Sequence, residues 1–144
     1  MSAKILCPVD LSHEASWKIA LPEAAAEARL RDAELHLLAV VPDVGMAMVE
    51  QYLPAGHERE MLAKADRELR SLAGSHLPAD TAHVCHIAHG HAAEEILRVA
   101  DEIGATLIVM ASHRPEMLRT LFVSSVADKI VHHARQSVLI CRAP

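Results

Sequence analysis

Three short segments of this sequence carry groups able to do chemistry: Pro8-Val9-Asp10, the run Met110-Ala111-Ser112-His113-Arg114-Pro115, and Ser124-Ser125-Val126. Asp10 offers a carboxylate that can accept hydrogen bonds from ribose hydroxyls. An extended backbone near Val40 can pair with the edge of an adenine. The first amides of a helix opening near Ser124 point outward unpaired, and the helix dipole adds roughly half a positive charge there, which together make a phosphate site. The same residue types also cap helices and form turns, so Asp10 and Ser125 fit a purely local role as well.

Those segments gain meaning from the elements that must position them. Apolar runs of a few residues alternate with stretches of helical period along the whole chain, the pattern of an α/β domain whose parallel sheet is covered on both faces. Strands are expected at Lys4–Val9, Glu34–Val41, His83–Ala88, Thr106–Ala111 and Ser137–Cys141. The run 106–111 is fully apolar and should be central. Helices are expected from about His13 to Arg31, Glu58 to Ala73, Ala92 to Ile103 and Val123 to His133. Ser12 would cap the first of these, Pro22 would kink it, and Gly104 would end the third. The stretch Pro42 to Pro54 reads as a loop. Ligands of doubly wound sheets sit outside the carboxyl ends of strands, where the strand order reverses, and each of the three segments above follows a strand or opens a helix there.

Composition narrows the partners. The 144 residues make one domain spanning 1–144; 51% are hydrophobic and only Trp17, Tyr52 and Phe122 are aromatic. Stacking platforms for unpaired bases are nearly absent. Fourteen Lys and Arg against 19 Asp and Glu give a net charge of -5, the wrong sign for tracking a nucleic-acid backbone. No run approaches the ~18 apolar residues of a membrane span, and the start is too short and too broken by Pro8 for a signal peptide. Cys7, Cys85 and Cys141 are odd in number and widely spaced, which suits a reducing compartment, so a cytoplasmic chain without membrane insertion is expected. Cys7 and Cys141 fall in apolar runs and read as inert core thiols. Among the 11 His residues, His83, His86, His89 and His91 surround Cys85. On a strand, His83, Cys85 and His89 share one face and His86 the other, so all four cannot meet one metal ion, and an exposed edge strand explains them better.

Three blocks, KILCPVDLS, HGHAAEEILRVADEIGATLIVMASHR and SSVADKIVHHARQSVLICR, resemble the signature blocks of the universal stress proteins in their usual order. The resemblance spans essentially the entire chain. It implies a Rossmann-like sheet of the adenine nucleotide alpha hydrolase type, a homodimer paired through the last strand, Ser137 to Cys141, and a stress-response or regulatory role. In one branch of that family it also implies binding of ATP or AMP, with magnesium as an accompanying ion. That branch carries a loop G-x-x-G-x9-G-[ST], and the matching positions here are Ala111, Arg114, Ser124 and Ser125. All three glycines are replaced and only the hydroxyl at Ser125 is kept. Those glycines let the backbone approach the phosphates, so the amide nest should be altered. Arg114, turned toward extended geometry by Pro115, could supply charge-assisted bonds in its place.

Two readings follow. In one, the chain is a nucleotide-binding regulator, with Asp10 on ribose, the Val40 backbone on adenine, and Arg114, Ser124 and Ser125 around the phosphates. In the other it is a nucleotide-free dimeric scaffold acting through protein partners. The sequence contains no G-x-S-x-G, no Walker loop and no Gly-rich fingerprint after the first strand, so no catalysis is expected beyond slow hydrolysis of a bound nucleotide or self-phosphorylation.

Overall fold

The computed structural model describes residues 2–42, 56–112 and 125–142. Its elements run β1 (Lys4–Val9), a single 3-10 turn (Glu14–Ser16), α1 (Ala20–Arg31), β2 (Glu34–Pro42), α2 (His57–His76), β3 (His83–Gly90), α3 (Ala92–Ile103), β4 (Leu107–Ala111), α4 (Ser125–His133) and β5 (Ser137–Cys141). The five strands form one sheet in the order β3-β2-β1-β4-β5, and every neighbouring pair is parallel. The order reverses between β1 and β4.

Strand alternation divides the core into two layers. Ile5, Cys7, Val9, Leu35, Leu37, Ala39 and Val109 face α1 and α2, meeting Leu21, Ala24, Ala28, Leu69 and Ala73. Leu6, Leu38, Ile108 and Met110 face α3 and α4, meeting Ile96, Val99, Ala100, Ala127 and Ile130. Both faces of the interior strands are therefore dry, which is why β1 and β4 read as uninterrupted apolar runs. The central strand is β1. The fully apolar β4 is interior but lies one place from the edge.

The entry to α1 differs from the sequence expectation. Ser12 does not cap it; its N–H donates to Asp10 Oδ1 at 3.0 Å, an Asx turn that takes the chain into the separate 3-10 turn. The α-helix begins only at Ala20, which puts Pro22 in its first turn. Backbone donors there have no intrahelical partner to lose, so Pro22 costs α1 no hydrogen bond, and the helix runs on to Arg31. Helix α2 passes through Gly74 and stops at His76, with Leu77 extended (ψ 148°) ahead of Pro78. The stop is set by the residue before proline, which is barred from helical geometry, and not by the glycine. Gly104 does end α3, at φ 72°, with Ala105 N–H returning to the Ala100 carbonyl.

Edge strand β3 shows the expected alternation. Cys85 packs toward the α2 side, while His86 pairs with His36 of β2. His36 is buried, its Nε2 lies 3.1 Å from Glu34 Oε1, and its Nδ1 lies 2.8 Å from His86 Nε2. A carboxylate only accepts, so neutral His36 carries its proton on Nε2 and receives one from His86 Nε2. Burial pushes the His86 pKa below the ordinary imidazole value, His36 adds to that, and Glu102 opposes it. The unfolded chain therefore takes up a proton at His86 at a higher pH than the folded one. Stability falls as pH drops below about 6.5. Denaturant midpoints should decrease from pH 7.5 to 5.5 in the wild type and decrease less in His86→Gln; equal decreases would show that other groups titrate.

Candidate functional site

A cavity of about 300 Å³ opens at the carboxyl end of the sheet, where the strand order reverses. From β1 come Pro8 and Val9, followed by Asp10. Val40 comes from β2, Met110 and Ala111 from β4, and Ser125 and Val126 from the first turn of α4. The structure thus gathers on one cavity residues that are widely separated in sequence. Ser112 does not line it: its N–H donates to the Cys141 carbonyl at 3.2 Å, and its buried hydroxyl has no partner among the described residues. His113, Arg114 and Ser124 lie outside the described residues.

Five lining residues were not foreseen: Ser16, Leu38, Pro42, Ala92 and Ile96. Leu38, Ala92 and Ile96 are ordinary apolar positions of β2 and α3 whose place at the cavity depends on long-range packing. Ser16 carried a usable signal, a hydroxyl six residues beyond Asp10 in the turn after β1. It accepts the Asp10 N–H at 2.9 Å.

The cavity is apolar on its walls and polar at two ends. At one end stands the half-exposed Asp10 side chain, its Oδ1 on Ser12 N–H and its Oδ2 2.9 Å from His13 Nδ1. At the other is the start of α4, where Ser125 brings a hydroxyl and the helix its positive end. On the other side of β1 from β4, β2 outruns β1. The β1–β2 ladder ends at Val9↔Ala39, whereas β2 stays paired to β3 through Val40, Val41 and Pro42. Among the described residues this last stretch has no ladder partner on its β1 side, which leaves backbone groups able to meet a planar heterocycle edge. The volume sits at the lower end of the roughly 300–1,000 Å³ typical of small-molecule sites. A larger hollow of about 690 Å³ between α1 and the end of α2, lined by Pro22, Arg29, Leu30, His76, Leu77 and Pro78 among others, takes no residue from a strand, and its polar side chains are Arg29 and His76.

The thiols take no part. Burial raises Cys7 to about 12 and Cys141 to about 11, so neither is a thiolate nucleophile at neutral pH. Among the described residues no three His, Cys, Asp or Glu side chains converge to hold a metal ion, and no helix is long and apolar enough to cross a membrane.

The family model for the universal stress protein family matches residues 1–142. The chain belongs to the universal stress protein family. Universal stress protein G of Salmonella typhimurium is 25% identical over 145 residues, covering 99% of this chain and 100% of that protein. Among solved structures of the same fold, the hypothetical protein MJ0577 has a TM-score of 0.80 at 24% identity, covering 100% of this chain and 98% of that one. The universal stress protein from Archaeoglobus fulgidus in complex with dAMP has a TM-score of 0.60 at 23% identity, covering 96% of each chain.

Proposed function

We propose that this universal stress protein binds an adenine nucleotide, AMP or ATP, at the carboxyl end of its sheet, and serves as a cytoplasmic regulator rather than an enzyme. The observation that carries the reading is the convergence of Asp10, the unpartnered end of β2 and the Ser125 start of α4 on one cavity. Asp10 accepts from ribose hydroxyls, the Val40 backbone meets the base, and Ser125 with the α4 amides holds phosphate. In this reading Arg114 and Ser124, both outside the described residues, add contacts to the phosphates, with magnesium on an ATP phosphate chain. The dAMP complex of the Archaeoglobus fulgidus relative supports an adenylate as the ligand.

Dimerisation through β5 belongs to the same proposal. That strand is an open edge with Val138, Leu139 and Ile140 only partly covered, the kind of edge that pairs with a second copy. The three replaced glycines favour the second reading, a nucleotide-free dimeric scaffold, and one titration separates the two. AMP and ATP with magnesium should bind with measurable heat, about ten- to a hundredfold more weakly than in relatives with the intact loop, because roughly one charge-assisted contact is lost. Absence of heat at millimolar nucleotide, with none released on heating the purified protein, overturns the nucleotide reading in favour of the scaffold.

A further inference from the structure

Asp10 is held more firmly than a surface carboxylate requires. Its backbone N–H donates to the buried Ser16 hydroxyl at 2.9 Å, and that hydroxyl lies 3.0 Å from the Asp10 carbonyl and 2.7 Å from the His13 carbonyl. His13 N–H in turn donates to the Asp10 carbonyl at 3.0 Å. The main chain is thus fixed without the carboxylate, whose two oxygens are spoken for separately by Ser12 N–H at 3.0 Å and His13 Nδ1 at 2.9 Å. An ionised carboxylate has no proton to give. The short contact therefore requires a proton on Nδ1 of His13. With about two lone-pair directions per carboxylate oxygen, one on each remains for a ligand, and two adjacent hydroxyl donors match that pair.

We infer that His13 is a positioning residue: with Ser12 N–H it fixes the plane of the Asp10 carboxylate so that the remaining acceptor sites face the hydroxyls of a ribosyl ligand. His13 thereby sets how strongly the site prefers ligands that carry those hydroxyls. Ser12 contributes through its backbone alone, whatever its side chain, so the side-chain share of this control falls to His13. The inference rests on the nucleotide reading above and adds a determinant of specificity to it.

Calorimetric titration of the full chain with AMP and with 2′,3′-dideoxy-AMP tests it, using wild type, His13→Ala and His13→Asn. His13→Ala should weaken AMP about tenfold, the scale on which orienting contacts act, and the dideoxy ligand by less than about twofold. His13→Asn, whose amide can donate to the same oxygen, should recover most of the AMP affinity. Equal losses for both ligands, or none for either, overturn the positioning role. Nitrogen chemical shifts of the His13 ring in the ligand-free protein at pH 8, where imidazole is ordinarily neutral, give a second readout. A proton on Nδ1 supports the inference, and a proton on Nε2 overturns it. If the wild type binds neither ligand, the nucleotide reading fails by itself, and the ring shifts still decide whether His13 holds Asp10.

Discussion

Asp10→Ala should lower AMP affinity about a hundredfold while leaving the protein folded. Two hydroxyl donors on one carboxylate are each charge-assisted, and at ~1.5–3 kcal/mol apiece their joint loss corresponds to a factor of at least about a hundred. Truncation also removes the acceptor of Ser12 N–H and the partner of His13, both in an exposed turn. Water can replace those contacts, so the stability cost should be about 1 kcal/mol or less. The Asp10 main chain keeps its bonds to Ser16 in the variant, because they use only backbone groups of residue 10.

Asp10→Asn sharpens the comparison. Its amide oxygen can still accept from Ser12 N–H, so the turn survives, but the other arm becomes an NH2 donor and no longer accepts a hydrogen bond from His13 or from a ligand hydroxyl. If carboxylate-to-hydroxyl bonding is what Asp10 supplies, Asn should lose nearly as much AMP affinity as Ala, with an unchanged melting temperature. Calorimetry read beside thermal unfolding checks both variants. AMP affinity within about threefold of wild type for either substitution would remove Asp10 from the binding role and leave it as a turn former.

The residues around this site show why some of it was legible beforehand. β1 and β5 have the bounds their apolar runs indicated; β1, buried on both faces, writes itself as a short continuous run, and the partly covered β5 keeps the same pattern. β2 and β3 run one and two residues further, because Pro42 and Gly90 close a ladder that composition does not mark. A bulky residue at Gly90 would meet both its φ of 141° and Glu95 Cγ 3.3 Å away, so this glycine reflects the turn into α3. The rank of β4 was not legible. Any interior strand is apolar on both faces, so pattern alone cannot distinguish the central position from the one beside it. Asp10, Val40 and Ser125 could be named because a switch-point fold places ligands after strands. Ile96 and Ala92 could not, as nothing local separates a helix residue facing the cavity from one facing the sheet. His36 is the missed signal, an imidazole inside the apolar run of β2, where a buried polar group must find partners.

Ile108→Ala should be strongly destabilising while sparing the cavity wall. Ile108 is fully buried, pairs in register with Leu6 and Val138, and belongs to the layer that seats α3 and α4. Neighbours on both strands and both helices are tied into the sheet, so the void cannot collapse easily, and the cost falls at about 3–4 kcal/mol within the usual range for such changes. For a chain of this length that lowers the melting temperature by about 10 °C. Leu30→Ala, at a side chain 80% exposed on α1, should stay within about 0.5 kcal/mol of wild type. Because Ile108 does not line the cavity, AMP at a hundred times its dissociation constant should stabilise wild type and Ile108→Ala by the same ~2.7 kcal/mol. A smaller increment in the variant would mean that the layer under α3 and α4 also shapes the site. A melting temperature within about 3 °C of wild type would show that β4 tolerates the void and that this layer is not tightly packed.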